Sequence, residues 1–289
     1  MGKEKEKRIM VTLTSAESKR LIAEYIPTME IVREAMTEGI INLQISSTNA
    51  YIYEALSGNV IDKGAHVCGF LSGAGGCGAY LPDGIKRECY FENGIEKHIN
   101  FPLGDFDRLY ERMGPKDIII KSGNLLDRNG KACVFVGEPS GDGGEWGKAY
   151  EYVKKNGIQV IVPMTLNKSA HITVEEVTKL VKVQKLDWER THVMADAMPL
   201  PGLVVTEVDA LTHLCQVSAV PVAMNGISSG EGTVTLCIYG DSEKVEQAWE
   251  QVTAIKGEPA LEVETRCREC LALKNKGICL AQQRVFTRG

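Results

Sequence analysis

Three cysteines close to the C-terminus have the spacing of a metal site. Two residues separate Cys267 from Cys270, and eight more separate Cys270 from Cys279. Two thiolates at the first spacing reach one ion, and a third raises the affinity because every ligand binds deprotonated. The pattern predicts zinc or an iron-sulfur cluster in the tail, with a redox-active dithiol and plain unliganded cysteines as the alternatives.

This set of three leaves one coordination position open. Structural zinc takes four ligands, so the fourth would come from Cys68, Cys77, Cys89 or a histidine. A four-iron cluster held by three cysteines would instead keep one iron accessible to substrate or water.

A glycine-rich segment covers residues 69–78. Five glycines in ten residues let a backbone approach a ligand closely. The segment lacks the signatures of nucleoside triphosphate and dinucleotide sites, so the predicted role is a general cradle for phosphate, a cofactor or a substrate, with a flexible surface loop as the alternative. The candidate binding residues are Gly73, Gly75 and Gly76, and Cys77 is a candidate nucleophile or ligand.

A second glycine-rich loop, residues 137–144, contains two acids. Glu138 and Asp142 are candidate catalytic residues, because a carboxylate there could take a proton, orient a hydroxyl or hold a cation. The alternative is a turn with solvated carboxylates. The same loop supplies the candidate ligand-binding residues Ser140, Gly141 and Gly143.

Two hydroxyl-rich turns follow predicted strands. The first leads into a helix, whose free backbone amides favour an anion. The predicted anion-binding residues are Ser46, Ser47, Thr48 and Asn49 in the first turn, and Lys121, Ser122, Gly123 and Asn124 in the second. Glu207, on the first turn of a later helix, is a further catalytic candidate.

Strands and helices alternate through the first two thirds of the chain. Predicted strands at 40–45, 117–121, 132–136 and 159–163 alternate with helices at 46–56, 145–156 and 174–182. This order predicts an α/β fold with a doubly wound, mainly parallel sheet. Ligands bind beyond the carboxyl ends of such strands, where the polar turns lie.

The order of the predicted strands and helices changes near residue 191. Strands at 203–205, 219–224, 233–239 and 261–264, with helices at 206–215 and 242–255, give the order βαββαβ of a ferredoxin-like unit. Its hairpin loop, residues 225–232, is long enough to touch a ligand. The predicted domains are an α/β ligand-binding domain at 1–190, the ferredoxin-like unit at 191–265 and the Cys-rich tail at 266–289.

The arrangement resembles the superfamily that joins ribose-5-phosphate isomerase, glucosamine-6-phosphate deaminase and the coenzyme A transferases. Residues 45–51 look like the early strand-to-helix turn with which the sugar-phosphate isomerases hold a phosphate. Residues 120–124 look like a middle strand and polar turn of that fold, and the late ferredoxin-like unit is similar to that of the ribose phosphate isomerase. The resemblance implies a phosphate-binding α/β fold.

The charge and hydropathy of the chain argue against two classes of partner, nucleic acids and membranes. A formal net charge of -5 argues against general affinity for nucleic acid. No run of about eighteen apolar residues could span a bilayer, and the N-terminus lacks the apolar core of a secretory signal. The expected location is therefore the cytoplasm. A homo-oligomer is expected by analogy with other proteins that carry an appended ferredoxin-like unit.

Three functions are consistent with these features. The leading hypothesis is an enzyme acting on a small anionic metabolite, a sugar phosphate, acyl or CoA-type ligand, at the strand-end loops. The alternatives are a regulatory module that binds such a ligand without converting it, and an iron-sulfur or zinc protein that uses the α/β body as a scaffold.

Overall fold

The computed structural model describes residues 6–67, 69–72, 75–77, 88–99, 104–136, 144–187 and 195–263. The strands are β1 (Glu6–Leu13), β2 (Ile40–Leu43), β3 (Phe70–Ser72), β4 (Gly75–Cys77), β5 (Glu88–Glu92), β6 (Ile95–Ile99), β7 (Ile118–Ile120), β8 (Leu125–Leu126), β9 (Ala132–Val136), β10 (Gln159–Pro163), β11 (Asp196–Leu200), β12 (Leu203–Val205), β13 (Ser218–Asn225) and β14 (Thr233–Asp241). The helices are α1 (Ser15–Tyr25), α2 (Glu30–Glu38), α3 (Asn49–Ser57), α4 (Gly104–Arg112), α5 (Gly144–Asn156), α6 (Val174–Leu180), α7 (Glu207–Cys215) and α8 (Ser242–Ala254).

The largest sheet has the strand order β12-β10-β7-β2-β5-β6 and is mixed. Strands β2, β7, β10 and β12 run parallel, whereas β5 and β6 are antiparallel to their neighbours. The fold is therefore α/β, but a doubly wound, mainly parallel sheet is not confirmed. The hairpin of β5 and β6 closes through Asn93 and Gly94, which both have positive φ, 51° and 75°, as a tight two-residue turn requires.

Strand β9 was expected in the parallel sheet but lies in a separate three-stranded sheet. Its neighbours there are β8 and β11, and both pairings are antiparallel. The cause is a turn organised by Asp127, whose Oδ1 accepts hydrogen bonds from the backbone N–H groups of Asn129 at 2.7 Å and Lys131 at 2.9 Å. This turn folds β9 back on β8 instead of sending it into the large sheet.

The third sheet has the order β1-β14-β13 and differs from the predicted ferredoxin-like unit. The first strand expected for that unit, β12, pairs with β10 in the large sheet. Residues 261–263 are not a strand, and β1 from the N-terminal end pairs antiparallel with β14. Helices α7 and α8 and the β13–β14 hairpin form as predicted.

Side chains of successive residues in β7 pack on opposite faces of the large sheet. Ile119 belongs to the hydrophobic cluster that contains Tyr110 of α4 and Trp146 of α5. Ile118 and Ile120 belong to the cluster that contains Ile52 of α3. The helix that follows β2, α3, and the next helix after β7, α5, therefore cover different faces of the sheet. The connections that leave these two adjacent parallel strands thus go to opposite faces.

Among the helices of the described ranges, none is both long enough and apolar enough to cross a membrane.

Candidate functional site

The turns after β2, β7, β10 and β12 meet at one edge of the large sheet. Backbone hydrogen bonds continue beyond the strands, from Gln44 N–H to Ile120 C=O at 3.1 Å and from Lys121 N–H to Ile161 C=O at 3.0 Å. Ligands of α/β proteins bind at such carboxyl edges, most often where adjacent connections leave to opposite faces. The divergence between β2 and β7 is such a place.

Asn49 holds the ends of these two strands together. Its buried Nδ2 donates to the carbonyl oxygens of Gln44 at 2.6 Å and Ile120 at 2.8 Å. The Ser46 hydroxyl accepts a hydrogen bond from the Asn49 backbone N–H at 3.0 Å. Two of the predicted anion-binding side chains therefore satisfy the protein's own backbone, and Asn49 Oδ1 is left buried without a partner.

Three side chains from three different turns form a hydrogen-bonded chain on the α3 face. Ser122 Oγ donates to Thr48 Oγ1 at 3.4 Å. Lys168 Nζ, in a 3-10 turn (Leu166–Lys168) after β10, donates to Ser122 Oγ at 3.3 Å and to the Gly123 carbonyl at 2.8 Å. The predicted residues Thr48 and Ser122 are thus brought together. Lys168 was missed, although its polar loop follows a predicted strand as the other two do.

Lys168 is a lysine with an unusual charge environment. Its pKa is lowered to about 8: burial is the largest cause, the nearby positive charge of Lys19 adds to the lowering, and the carboxylate of Glu207 opposes it. Burial also lowers the pKa of Lys19. Within the described part of the chain, neither ammonium takes part in an ion pair. Lys168 is therefore a partly dehydrated cation that contacts the Ser122 hydroxyl and lies within the electrostatic influence of a second partly dehydrated cation, Lys19.

Glu207 supports the turn that carries Lys168. Its fully buried carboxylate accepts hydrogen bonds from the Leu166 backbone N–H at 3.0 and 3.2 Å, and also from the Ser18 side chain. Burial raises the pKa of Glu207. This catalytic candidate therefore has a positioning role in the structure, beside the two lysines.

The β13–β14 hairpin loop comes close to the same turn. Gly232, with a φ of +71°, lies against Asn167, since a Cβ on this glycine would sit 3.3 Å from Asn167 Nδ2. The loop at 225–232 therefore borders the Lys168 turn.

A second polar cluster lies on the α4–α5 face of the same sheet edge. Gln44 Nε2 donates to the Tyr110 hydroxyl at 3.0 Å, Tyr110 donates to Asn42 Oδ1 at 3.3 Å, and Asn42 Nδ2 donates to Glu88 Oε1 at 2.6 Å. The chain ends at Glu88, near the carboxyl group of Glu145, and Glu88 Oε2 and Glu145 Oε1 are buried without a hydrogen-bond partner. Burial and the charge of Glu145 raise the pKa of Glu88 well above its ordinary value. The raised pKa favours the protonated form of Glu88 beside the Glu145 carboxyl group.

A small pocket of about 30 Å³ opens between the end of β2 and α3. Its lining includes Gln44, Asn49, Cys89 and His98. Burial and the neighbouring Glu88 raise the pKa of the Cys89 thiol, so this cysteine is a neutral thiol at physiological pH.

No family model, characterised protein or solved structure matches this chain. The resemblance to sugar-phosphate isomerases therefore stays a prediction, and the function rests on the geometry.

The other predicted residues of the two polar turns each have a different environment. Asn124 is occupied internally, because its Oδ1 accepts from the Phe135 backbone N–H at 2.8 Å. Gly123 is needed for close packing, since a Cβ would sit 2.6 Å from the Cys133 carbonyl oxygen. Lys121 lies on the opposite face from Ser122, where its charge acts on Glu88, and Ser47 is half-buried.

The glycine-rich loops and the tail are described in part or not at all. Gly75, Gly76 and Cys77 form β4, which pairs with β3. The predicted sites outside the described residues are Gly73, Glu138, Ser140, Gly141, Asp142, Gly143, Cys267, Cys270 and Cys279. Among the residues that the structure describes, no group of three or more His, Cys, Asp or Glu side chains is placed to hold a metal ion. The metal site of the tail stays a prediction.

Proposed function

We propose that this protein is an enzyme that binds a small anionic metabolite at the carboxyl edge of the parallel strands, with Lys19 and Lys168 as the anion-binding pair. The observation that carries the proposal is that the partly buried ammonium of Lys168 contacts the Ser122 hydroxyl and is influenced by the positive charge of Lys19, while among the described residues neither lysine has a carboxylate in salt-bridge contact. Like charges brought together and dehydrated cost free energy, and an anion placed between them would recover it.

The surrounding groups suit an anion of modest size. The Ser122 and Thr48 hydroxyls give further hydrogen-bonding capacity, and Lys168 Nζ keeps a third donor position beyond its two protein partners. Phosphate and carboxylate are the anions for which such a set is typical. A lysine with a lowered pKa at a strand-end turn also favours an enzyme over a passive binding module, because perturbed groups concentrate at catalytic sites.

Calorimetric titration with inorganic phosphate at pH 7 tests the binding step. The variants are Lys168→Met and Lys19→Met, and the matched control is Lys116→Met, at an exposed lysine whose side chain is 79% accessible. A charge-assisted hydrogen bond contributes about 1.5–3 kcal/mol, so each site variant should weaken phosphate binding roughly tenfold to a hundredfold. The control should bind phosphate as the wild type does.

Two results would overturn the proposal. One is no heat of binding in the wild type at millimolar phosphate. The other is an equal loss of affinity in Lys168→Met and in Lys116→Met, since that would indicate only a nonspecific effect of net charge.

A further inference from the structure

Lys168 combines three properties that a nucleophilic amine needs. It lies in a turn whose backbone is held in place, because the Leu166 N–H donates to both carboxylate oxygens of the buried Glu207. Its Nζ is oriented by Ser122 Oγ and the Gly123 carbonyl. A second ammonium, Lys19, lies close enough to repel its charge.

We propose that Lys168 forms an imine with the carbonyl carbon of an anionic aldehyde or ketone, a 2-oxo acid or an open-chain sugar phosphate. This inference rests on the proposed function, because the neighbouring Lys19 would hold the anionic group of the same ligand. It adds a substrate class, a carbonyl compound, and a covalent role for one residue.

The charge environment supplies the reactive form of the amine. With a pKa of about 8, about a quarter of Lys168 would be the neutral amine at pH 7.5. A lysine with the ordinary value of 10.5 would be neutral in only about one molecule in a thousand at that pH. Lysines placed beside a second cation and partly desolvated are activated in this way.

The bond changes balance without any further reactant. The nitrogen lone pair of the neutral amine forms the C–N bond, the C=O π pair moves to oxygen, and one nitrogen proton passes to that oxygen to give a carbinolamine. The nitrogen lone pair then forms the second C–N bond as the C–O bond breaks, and the hydroxyl leaves as water with the second proton of the nitrogen. The Ser122 hydroxyl, in contact with Lys168 Nζ and donating to Thr48, is the nearest protein group to carry that proton. The products are one imine and one water molecule.

Trapping by reduction tests the imine directly. The protein is incubated at pH 7.5 with pyruvate or with glycolaldehyde phosphate and treated with sodium cyanoborohydride. Peptide mapping by mass spectrometry then locates any adduct, whose mass is that of the probe less one oxygen. We expect the label on Lys168 at least tenfold above that on any exposed lysine, no label at position 168 in Lys168→Met, and wild-type labelling in Lys116→Met.

The Lys19→Met variant separates activation from mere accessibility. Removing the neighbouring charge should raise the pH at which Lys168 becomes labelled, while labelling at high pH is retained. A label spread evenly over surface lysines, or a pH profile unchanged by Lys19→Met, would overturn the inference.

The phosphate titration distinguishes a failure of the proposed imine from a failure of the proposed anion-binding site. If phosphate binding depends on Lys168 but neither carbonyl probe is trapped there, the imine is wrong and anion binding stands. If Lys168→Met binds phosphate as the wild type does, the proposed site itself is wrong.

Discussion

Replacing Lys168 by Met should make the protein more stable at neutral pH. The lysine stem is retained in size, while the ammonium that the fold keeps partly dehydrated is removed. Lowering the pKa from 10.5 to about 8 corresponds to about 3 kcal/mol of unfavourable charge burial, an upper figure because the side chain keeps some solvent contact. Losing its hydrogen bonds to Ser122 and Gly123 costs about 1 kcal/mol.

The net expectation is a gain of about 2 kcal/mol, or a Tm higher by roughly 5 °C for a chain of this size. The pH dependence provides the sharper test. Between pH 8 and pH 10.5 the native state holds fewer protons at this site than the unfolded state, so wild-type stability rises with pH across that window. The advantage of Lys168→Met should therefore be full below pH 8 and disappear towards pH 10.5.

The assay is urea unfolding followed by circular dichroism from pH 6.5 to pH 10, with Lys116→Met as control. A variant that is less stable than the wild type at pH 7, or more stable by the same amount at every pH, would refute the reasoning. A gain in stability together with a loss of phosphate binding would show that the lysine is kept for function at a cost to the fold.

Three further predictions concern other parts of the chain. Glu88→Gln keeps the shape of the protonated acid, and because the pKa of Glu88 is raised in the native state, wild-type stability should fall as pH rises above about 5. Urea titrations should find the variant more stable than the wild type at pH 8 and similar at pH 5, and a less stable variant at pH 8 would contradict the raised pKa. Asn49→Ala leaves two buried carbonyl groups without donors and should cost about 2–4 kcal/mol in chemical denaturation, so a loss below about 1 kcal/mol would show that the strand ends do not depend on this amide. Anaerobically purified protein should contain zinc, or iron with sulfide, and the triple Ser variant of Cys267, Cys270 and Cys279 should lose it; full retention would place the metal elsewhere.

Local signals in the sequence predicted local structure well. At the start of α1, Thr14 and Glu17 form both hydrogen bonds of a capping box, which depends only on residue types three positions apart. The strands and helices that alternate after residue 40 are confirmed with shifts of a few residues at their ends. These features depend on residues three or four positions apart, which a single sequence displays.

Strand partners were predicted less well, because pairing depends on contacts that a local pattern does not encode. Residues 132–136 have the apolar composition of a buried parallel strand, but the turn at Asp127 pairs them antiparallel. The pairing of β1 with β14 joins positions as distant as Glu6 and Asp241. Neither segment contains a local sequence signal that identifies its partner strand.

The candidate site was predicted in outline and missed at its centre. The hydroxyls of Thr48 and Ser122 were predicted from the turns that carry them, and the structure places them in contact. Lys168 is one of many loop lysines, and what distinguishes it is burial and the proximity of Lys19, which lies on a helix early in the chain. Both properties arise only from the tertiary fold.

The place of β1 beside β14 bears on how the chain folds during synthesis. Residues 6–13 leave the ribosome well before residues 233–241 and do not reach their partner strand until those residues follow. An unpaired apolar strand is a site of aggregation, and charged residues at its start oppose that. β1 begins with Glu6, Lys7 and Arg8 before its apolar part. These three charges would keep β1 soluble while it is unpaired. The β1–β14 pairing would form after the large sheet, whose strands all precede β14 in the chain.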